Sequence, residues 1–574
     1  MSKWGQTQHA VGRVGSVLAI ALPALAALLV LAAYLPRLAF DLPLYGGDEG
    51  AYLIRALFGP LLEAHPALAP QVAEIDNTVF LAILRGLGHL TPSVLEVARV
   101  LGTLAYFGGL ALTYRAVRVD LTPQDRWAFL LLALIFPYHR FVVTALPEGW
   151  YVGLLGLIIW VTARFWRTRP LSHAALTGLL AAGLVLIKPH GAAVVAAVAA
   201  LIVADGLVDG RLHLKQLASR LSIFLAAFLL LGNLVANLDG KPPANALFFF
   251  GNGFYADTLS AKAGVEAIRS GLKALTVSIA TVALLAGVPI LAGVADIGRR
   301  RWRERSQFRL AGADLAFLLT LFALLATVAM VGLFAVKALA LGPAETGRLW
   351  GRYFEFFVPL IWLTAAPAIQ RWDQVRLARN VAADVMALGL ALLIVCLLTG
   401  VMVFPWDSTA MSAFYRPSME RWPFNFTPPI FMLSVAASLL TIRLMLTAIP
   451  TVRVWQGYFA ALALLSSVFD EAWVRDIMPA RQVLGLEIGG ARLLARDKPG
   501  PVVAYFDDAN SANCLFLRLE GRPTMKLVAP GLPVDTAQLG TVETVIVQGD
   551  HAMPATGWKA VQPGALIKVY QRAP

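Results

Sequence analysis

The 574-residue sequence has few charged residues and almost no cysteine. Asp, Glu, Lys and Arg make up 14% of it, whereas about 25% is usual for soluble domains. So few charges cannot coat the several globular surfaces that a soluble chain of this length would have. The two cysteines, Cys396 and Cys514, provide no disulfide framework. HExxH, clustered CxxC, Walker and GxSxG patterns are also absent from the sequence, so none of these motifs assigns a reaction.

Hydrophobic residues are abundant instead. They make up 58% of the chain, and the mean hydropathy is +0.69. This composition excludes intrinsic disorder, which requires a low apolar content, and indicates a polytopic membrane protein. The net charge of +13 does not indicate nucleic-acid binding, because the basic residues form short clusters between apolar runs, as topology signals do.

Apolar runs long enough to cross a bilayer predict thirteen transmembrane helices. An odd number places the two termini on opposite sides. Basic clusters occupy every second connection, so the positive-inside rule predicts a cytoplasmic N-terminus and a periplasmic C-terminus in a bacterial inner membrane. The predicted spans centre near Leu25, Gly108, Leu132, Gly156, Leu180, Val198, Ala227, Leu285, Leu321, Leu360, Leu392, Ala436 and Leu462.

The pattern divides the chain into two domains. Residues 1–468 form a transmembrane catalytic domain whose first outer loop covers 41–92, and residues 469–574 form a small extracytoplasmic α/β domain. In this tail, short β-type runs surround a helix predicted at Ser511–Leu519. The predicted strands are Val502–Phe506, Met525–Val528, Val542–Val547 and Leu566–Tyr570.

The first outer loop carries an adjacent pair of acids, Asp48 and Glu49, directly after the first span. Beyond it, Leu53–Leu62 and Ile75–Leu90 are apolar but too short or interrupted to span, and they fit amphipathic helices in the membrane interface. Carboxylates beside such helices suit chemistry on a lipid-borne substrate. The alternative for Asp48 is a helix N-cap. We place Tyr52 and Arg55 among the residues lining the donor or acceptor.

A further acid and several basic residues are predicted to lie on the same outer face. Glu148 begins the fourth span, where it either takes part in the site or complements a helix dipole. Cations are rare on this face, and a lipid phosphate needs them. The alternative is that each cation contacts lipid headgroups. The candidate phosphate-binding residues are Lys188, Arg352, Tyr353, Arg348 and Arg140, with His190 lining the site.

These segments together resemble the GT-C superfamily of polyprenyl-phosphate-sugar glycosyltransferases. The similar features are the Asp48-Glu49 pair with Tyr52, the acid Glu148, the stretch Gly183–Gly191 (GLVLIKPHG) and the triplet Gly351-Arg352-Tyr353. The span count and the outer α/β domain look most like the lipid A aminoarabinose transferase branch, with protein O-mannosyltransferases more distant.

The resemblance implies an inverting transfer of a sugar from undecaprenyl phosphate to a lipid A, glycan or protein acceptor. Asp48 would activate the acceptor hydroxyl with help from Glu49, and Glu148 would be the second carboxylate. Lys188, Arg352 and Tyr353 would bind the lipid phosphate. Such a donor needs no nucleotide. The resemblance assigns no cofactor. The residues do not decide whether a divalent cation takes part, so the metal stays unknown.

Three alternatives stay open at the level of sequence. A transporter or flippase for a lipid-linked or anionic solute would also have many spans, but it predicts ionisable residues deep within spans and an inverted repeat. An O-antigen ligase or polymerase would arrange the outer Arg and His residues differently. A membrane assembly scaffold would need no catalytic residues.

Overall fold

The computed structural model describes most of the chain, and its packing divides into two compact units. Unit 1 comprises 1–33, 104–140 and 148–471, and unit 2 comprises 34–103, 141–147 and 472–574. The described residues are 35–45, 47–64, 67–68, 75, 77–208, 214–240, 265–304, 307–338, 349–372, 407–411, 451–497, 500–535, 539–554 and 556–573, with single positions at 25, 28, 29, 32 and 389.

The described residues are mostly helical, as predicted, with a small sheet near the C-terminus. The described 3-10 turns are Gly59–Ala64, Arg118–Asp120 and Gly351–Tyr353. The α-helices are α1 Asp48–Phe58, α2 Thr78–Leu90, α3 Val94–Val117, α4 Pro123–Ile135, α5 His139–Val142, α6 Glu148–Phe165, α7 Pro170–Ile187, α8 Gly191–Val208, α9 Leu214–Leu238, α10 Val265–Glu304, α11 Gly312–Ala338, α12 Phe357–Trp372 and α13 Thr451–Asp497.

Among the described residues, 5 helices are long and apolar enough to cross a membrane. They are α3 with the turn that follows it, α7, α9, α10 and α11, and each contains a predicted span centre. The centres Leu132, Gly156, Val198, Leu360 and Leu462 lie in described helices that are shorter or less apolar. Leu392 and Ala436 lie outside the described residues, as does most of the segment around Leu25. The thirteen-span count therefore stays a prediction.

Glycines allow α3 and α6 to pack with their backbones in contact in unit 1. A Cβ atom added at Gly109 would lie 2.3 Å from the carbonyl oxygen of Val152, and one at Gly156 would lie 2.2 Å from the carbonyl oxygen of Gly109. Small residues at helix interfaces permit this approach in membranes, where van der Waals packing drives association. The same contact fixes α6, whose first residue is Glu148.

Replacing Gly109 with alanine should destabilise unit 1, because the new methyl group would meet backbone atoms that cannot rotate away. Overpacking costs about 1–3 kcal/mol. Gly108→Ala is the matched control, since a Cβ at Gly108 has nothing within 4 Å. Thermal unfolding in detergent should show a lower midpoint for Gly109→Ala alone; equal midpoints for the two variants would contradict the close packing.

The tail forms a mixed five-stranded sheet. Its strands are β1 Val502–Phe506, β2 Thr524–Leu527, β3 Thr544–Gln548, β4 Trp558–Pro563 and β5 Ile567–Arg572, in the order β2-β1-β3-β5-β4. Strand β1 is parallel to β2 and β3, whereas β5 is antiparallel to β3 and β4. The sequence predicted four of these strands to within a few residues, β1 at its observed bounds, and did not predict β4.

Helix α14, Ala509–Arg518, follows β1. Its N-cap is Asp508, whose side chain accepts hydrogen bonds from the backbone amides of Asn510 and Ser511. Burial by itself raises the pKa of Asp508, but the Ser511 and Asn510 hydrogen bonds outweigh it and hold the pKa below its ordinary value. The sequence-based interpretation of this acid as a helix-cap residue agrees with this geometry.

The first-loop helix α1 and the tail share one hydrophobic core within unit 2. Ile54 of α1, Phe516 of α14 and Ile546 of β3 belong to the same buried cluster. The Phe58 and Phe516 rings meet edge to face at 5.6 Å. A Cβ at Gly50 would lie 2.9 Å from the Cβ of Asn513, so this glycine permits the close approach of the two helices.

Candidate functional site

Several predicted site residues of unit 1 meet where helices begin or end. Glu148 is the first residue of α6, Lys188 directly follows α7, and His190 directly precedes α8. Arg352 and Tyr353 lie in the 3-10 turn Gly351–Tyr353 before α12. All of these residues lie at or next to the end of a helix. Neighbouring helix ends bring together residues that are far apart in the sequence.

The Glu148 carboxylate pairs with two cations. Its Oε1 atom lies 2.8 Å from the Lys188 ammonium nitrogen and 3.5 Å from Nε of Arg352. Glu148 is 2% exposed and Lys188 is 4% exposed, so both charges have lost most of their hydration. Removing Glu148 or Lys188 would leave an uncompensated buried charge, which costs about 3–5 kcal/mol.

Tyr353 forms an aromatic wall against these cations. The Lys188 ammonium lies 5.0 Å from the centroid of the Tyr353 ring, and the Arg352 guanidinium carbon lies 5.5 Å from it. The His190 ring stacks on Tyr353 at 4.5 Å with an interplanar angle of 9°. The Tyr151 hydroxyl donates to the His190 carbonyl oxygen at 3.3 Å. The stacked rings are therefore held by α6, through Tyr151, and by the start of α8, next to His190.

The cluster carries more positive than negative charge. Lys188 and Arg352 each carry one positive charge, and Glu148 carries one negative charge. His190 is neutral, because burial lowers its pKa. Among these four side chains the sum is one positive charge, in poorly hydrated surroundings where electrostatic interactions are stronger than in water. An excess of positive charge of this kind favours an anion such as a phosphate group, because the anion offsets the remaining charge.

His190 is held in its neutral form. Burial, followed by the charges of Lys188 and Arg352, holds the pKa of His190 well below its ordinary value. The folded state therefore binds fewer protons than the unfolded state around pH 6. This histidine contributes stability that is present above the unfolded pKa of about 6.5 and is lost as the pH falls towards the lower folded pKa.

The thermal stability of the protein should therefore decline between pH 7.5 and pH 5, and His190→Phe should decline less. Phenylalanine keeps a flat ring beside Tyr353 and cannot be protonated. The measurement is the unfolding midpoint in detergent at both pH values. His89→Phe is the control, because His89 is an exposed residue of α2. A His190→Phe variant that declines as steeply as the wild type would refute the assignment.

Glu49 has a structural task in unit 2. Its carboxylate forms a two-point ion pair with Arg99, at 3.0 Å and 3.2 Å, and both side chains have 0% exposure. It also accepts hydrogen bonds from the backbone amides of Leu44 at 2.7 Å and Ala145 at 2.6 Å. A carboxylate that accepts from this many donors holds the chain around it.

Arg99 is the ion-pair partner of Glu49, and it was not predicted from the sequence. Its guanidinium donates to backbone carbonyl oxygens of the segment before α1, those of Arg37, Phe40 and Leu42. The sequence feature that could have identified Arg99 is its position within the first predicted span after the loop, where an unpaired charge is costly. The partner could not be read from the sequence, because Glu49 lies 50 positions away.

The other predicted residues lie as follows. Asp48 is exposed at the first position of α1, with Gly47 rather than Asp48 at the N-cap. Tyr52 packs edge to face on Phe80 at 5.3 Å, and Arg55 is half-buried in the last turn of α1. Arg140 is 1% exposed in α5. Arg348 lies outside the described residues.

Metal ligands do not cluster in the part of the chain that the structure describes: within it, no group of three or more His, Cys, Asp or Glu residues could hold an ion. The Glu148 carboxylate faces ammonium and guanidinium groups rather than other acids.

The comparisons with known proteins give one solved structure. No family model matches the sequence, and no curated protein matches it. The chain is similar to the crystal structure of ArnT from Cupriavidus metallidurans bound to undecaprenyl phosphate, with a TM-score of 0.47, 14% sequence identity and 98% of each chain covered. A structural similarity of this size says nothing about the chemistry of this chain.

Proposed function

We propose that this protein is an inverting, membrane-embedded glycosyltransferase that uses a sugar linked to undecaprenyl phosphate. The observation that supports it is the buried cluster of Lys188 and Arg352 around Glu148, with its excess positive charge. A polyprenyl-phosphate donor delivers both an anionic phosphate for these cations and a lipid chain for the apolar helices. The acceptor class is a hydroxyl of lipid A, a glycan or a protein at the outer membrane face.

In the proposed reaction, the acceptor hydroxyl attacks the anomeric carbon and the bond from that carbon to the phosphate oxygen breaks. Asp48 takes the proton of the hydroxyl as general base. Lys188 and Arg352 stabilise the charge that develops on the departing polyprenyl phosphate. A single displacement inverts the anomeric centre.

The two predicted acids receive different roles. Glu49 is buried and fully engaged with Arg99 and backbone amides, so we assign it to positioning the loop. Asp48 is exposed on the same turn of α1, where a substrate hydroxyl can reach a carboxylate. Residues 1–468 would provide the catalytic membrane domain, and residues 469–574 a periplasmic domain that supports the acceptor.

Asp48→Asn should reduce sugar transfer about 10²–10⁴-fold, the usual contribution of a general base. The assay uses the full-length protein in detergent with an undecaprenyl-phosphate sugar, and it measures released undecaprenyl phosphate. Asp41→Asn is the matched control, because Asp41 is another exposed acid of unit 2, paired with Arg518. Transfer at the wild-type rate by a folded Asp48→Asn variant would assign the base to another residue.

Arg352→Ala should weaken binding of the lipid phosphate more than it lowers stability. Hydrogen bonds to a charged group are worth about 1.5–3 kcal/mol, so the apparent dissociation constant for undecaprenyl phosphate should rise about tenfold or more. Arg371→Ala removes a cation of unit 1 that pairs with Asp296 instead and should leave binding unchanged. Equal affinity of wild type and Arg352→Ala would remove the phosphate-binding role.

A further inference from the structure

Glu355 is a buried acid that neither the sequence analysis nor the proposed reaction uses. It has 0% exposure and lies between the 3-10 turn Gly351–Tyr353 and α12. A buried carboxylate is costly unless it is paired or hydrogen-bonded. Its partners therefore show what the residue does.

The carboxylate of Glu355 holds a short segment from elsewhere in unit 1, residues 407–411. Its Oε2 atom accepts hydrogen bonds from the Thr409 amide at 2.8 Å, the Thr409 hydroxyl at 2.9 Å and the Ala410 amide at 3.1 Å. Its Oε1 atom accepts from the Ser408 hydroxyl. One side chain thus satisfies four donors of a segment that is 53 to 55 residues away.

The same segment holds the backbone of Arg352. The Arg352 amide donates to the Asp407 carbonyl oxygen at 2.5 Å, and the Tyr138 hydroxyl donates to the Arg352 carbonyl oxygen at 2.9 Å. The Glu355 amide donates to the Gly351 carbonyl oxygen at 2.8 Å and closes the turn. Arg352 therefore lies between two backbone contacts, one of which depends on the segment that Glu355 holds.

Gly351 shows how tightly the turn and the segment pack. A Cβ atom at this position would lie 2.5 Å from Oε1 of Glu355 and 3.1 Å from the Asp407 carbonyl oxygen. The far end of the segment is held as well, because the Ser466 hydroxyl of α13 donates to the Ala410 carbonyl oxygen at 3.0 Å. The segment is a fixed support for the turn.

We propose that Glu355 is a positioning residue for Arg352: it binds the segment 407–411, and through the Asp407 carbonyl it sets the place from which the Arg352 guanidinium meets the lipid phosphate. This inference rests on the proposed function, since it names how the phosphate-binding arginine is held. Glu355 itself contacts the segment and not the reacting atoms.

The test uses two variants of the full-length protein in detergent. Glu355→Gln keeps the size of the side chain but loses its charge and part of its acceptor capacity, and Thr409→Val removes one of the donors. Both should raise the apparent KM for the undecaprenyl-phosphate sugar about tenfold and change kcat less, because Arg352 is displaced but present. Thr364→Val is the matched control, since the Thr364 hydroxyl bonds only within α12, to the Leu360 and Ile361 carbonyls.

Hydrogen exchange of the backbone amides provides a readout that does not depend on the donor. The amides of Arg352, Thr409 and Ala410 should exchange faster in Glu355→Gln than in the wild type, and Thr364→Val should leave them unchanged. Unchanged exchange or an unchanged KM in both Glu355→Gln and Thr409→Val would overturn the positioning role. If the wild-type protein binds no undecaprenyl phosphate, the proposed function fails, while the exchange rates still decide whether Glu355 holds Arg352.

Discussion

The pairing of one buried carboxylate with two cations underlies the organisation of the candidate site. Glu148 allows Lys188 and Arg352 to remain charged in a poorly hydrated place, because its negative charge offsets part of their desolvation. It does so incompletely, since one carboxylate cannot neutralise two cations. The positive charge that remains among these three side chains is what the proposed binding of a lipid phosphate depends on, and the stacked rings of His190 and Tyr353 lie beside it.

Buried acids serve a second purpose in both compact units, which is to hold backbone. Glu49 accepts from the Leu44 and Ala145 amides while it pairs with Arg99. Glu355 accepts from the Thr409 and Ala410 amides. A carboxylate has two oxygens and about four acceptor sites, so a single side chain can fix a non-helical segment whose amides have no helical partner. This arrangement explains why irregular chain segments next to the candidate residues have defined positions.

Local pattern was enough to predict four of the five strands and to select the side chains that meet around Glu148. A continuous apolar run placed β1 at Val502–Phe506, and the rarity of predicted outer cations singled out Lys188 and Arg352. Long-range pairing was not readable, because nothing near Arg99 identifies Glu49 as its partner. Strand β4 was missed because none of its residues is fully buried, it ends in Pro563 and it contains a register shift after Ala560, so it lacks the continuous apolar run of a buried strand.

Burial separates the acids by what each can do chemically. A general base must exchange its proton with a substrate, so it cannot already be saturated by permanent donors. Glu49 and Glu355 accept several fixed hydrogen bonds at 0% exposure, and Glu148 is committed to two cations. Exposed Asp48 shares the turn with Glu49, and the ion pair of Glu49 with Arg99 holds the start of α1 in place. The adjacent acids are thus unlike in their surroundings: Glu49 is buried and holds the backbone around it, whereas Asp48 is exposed at the surface.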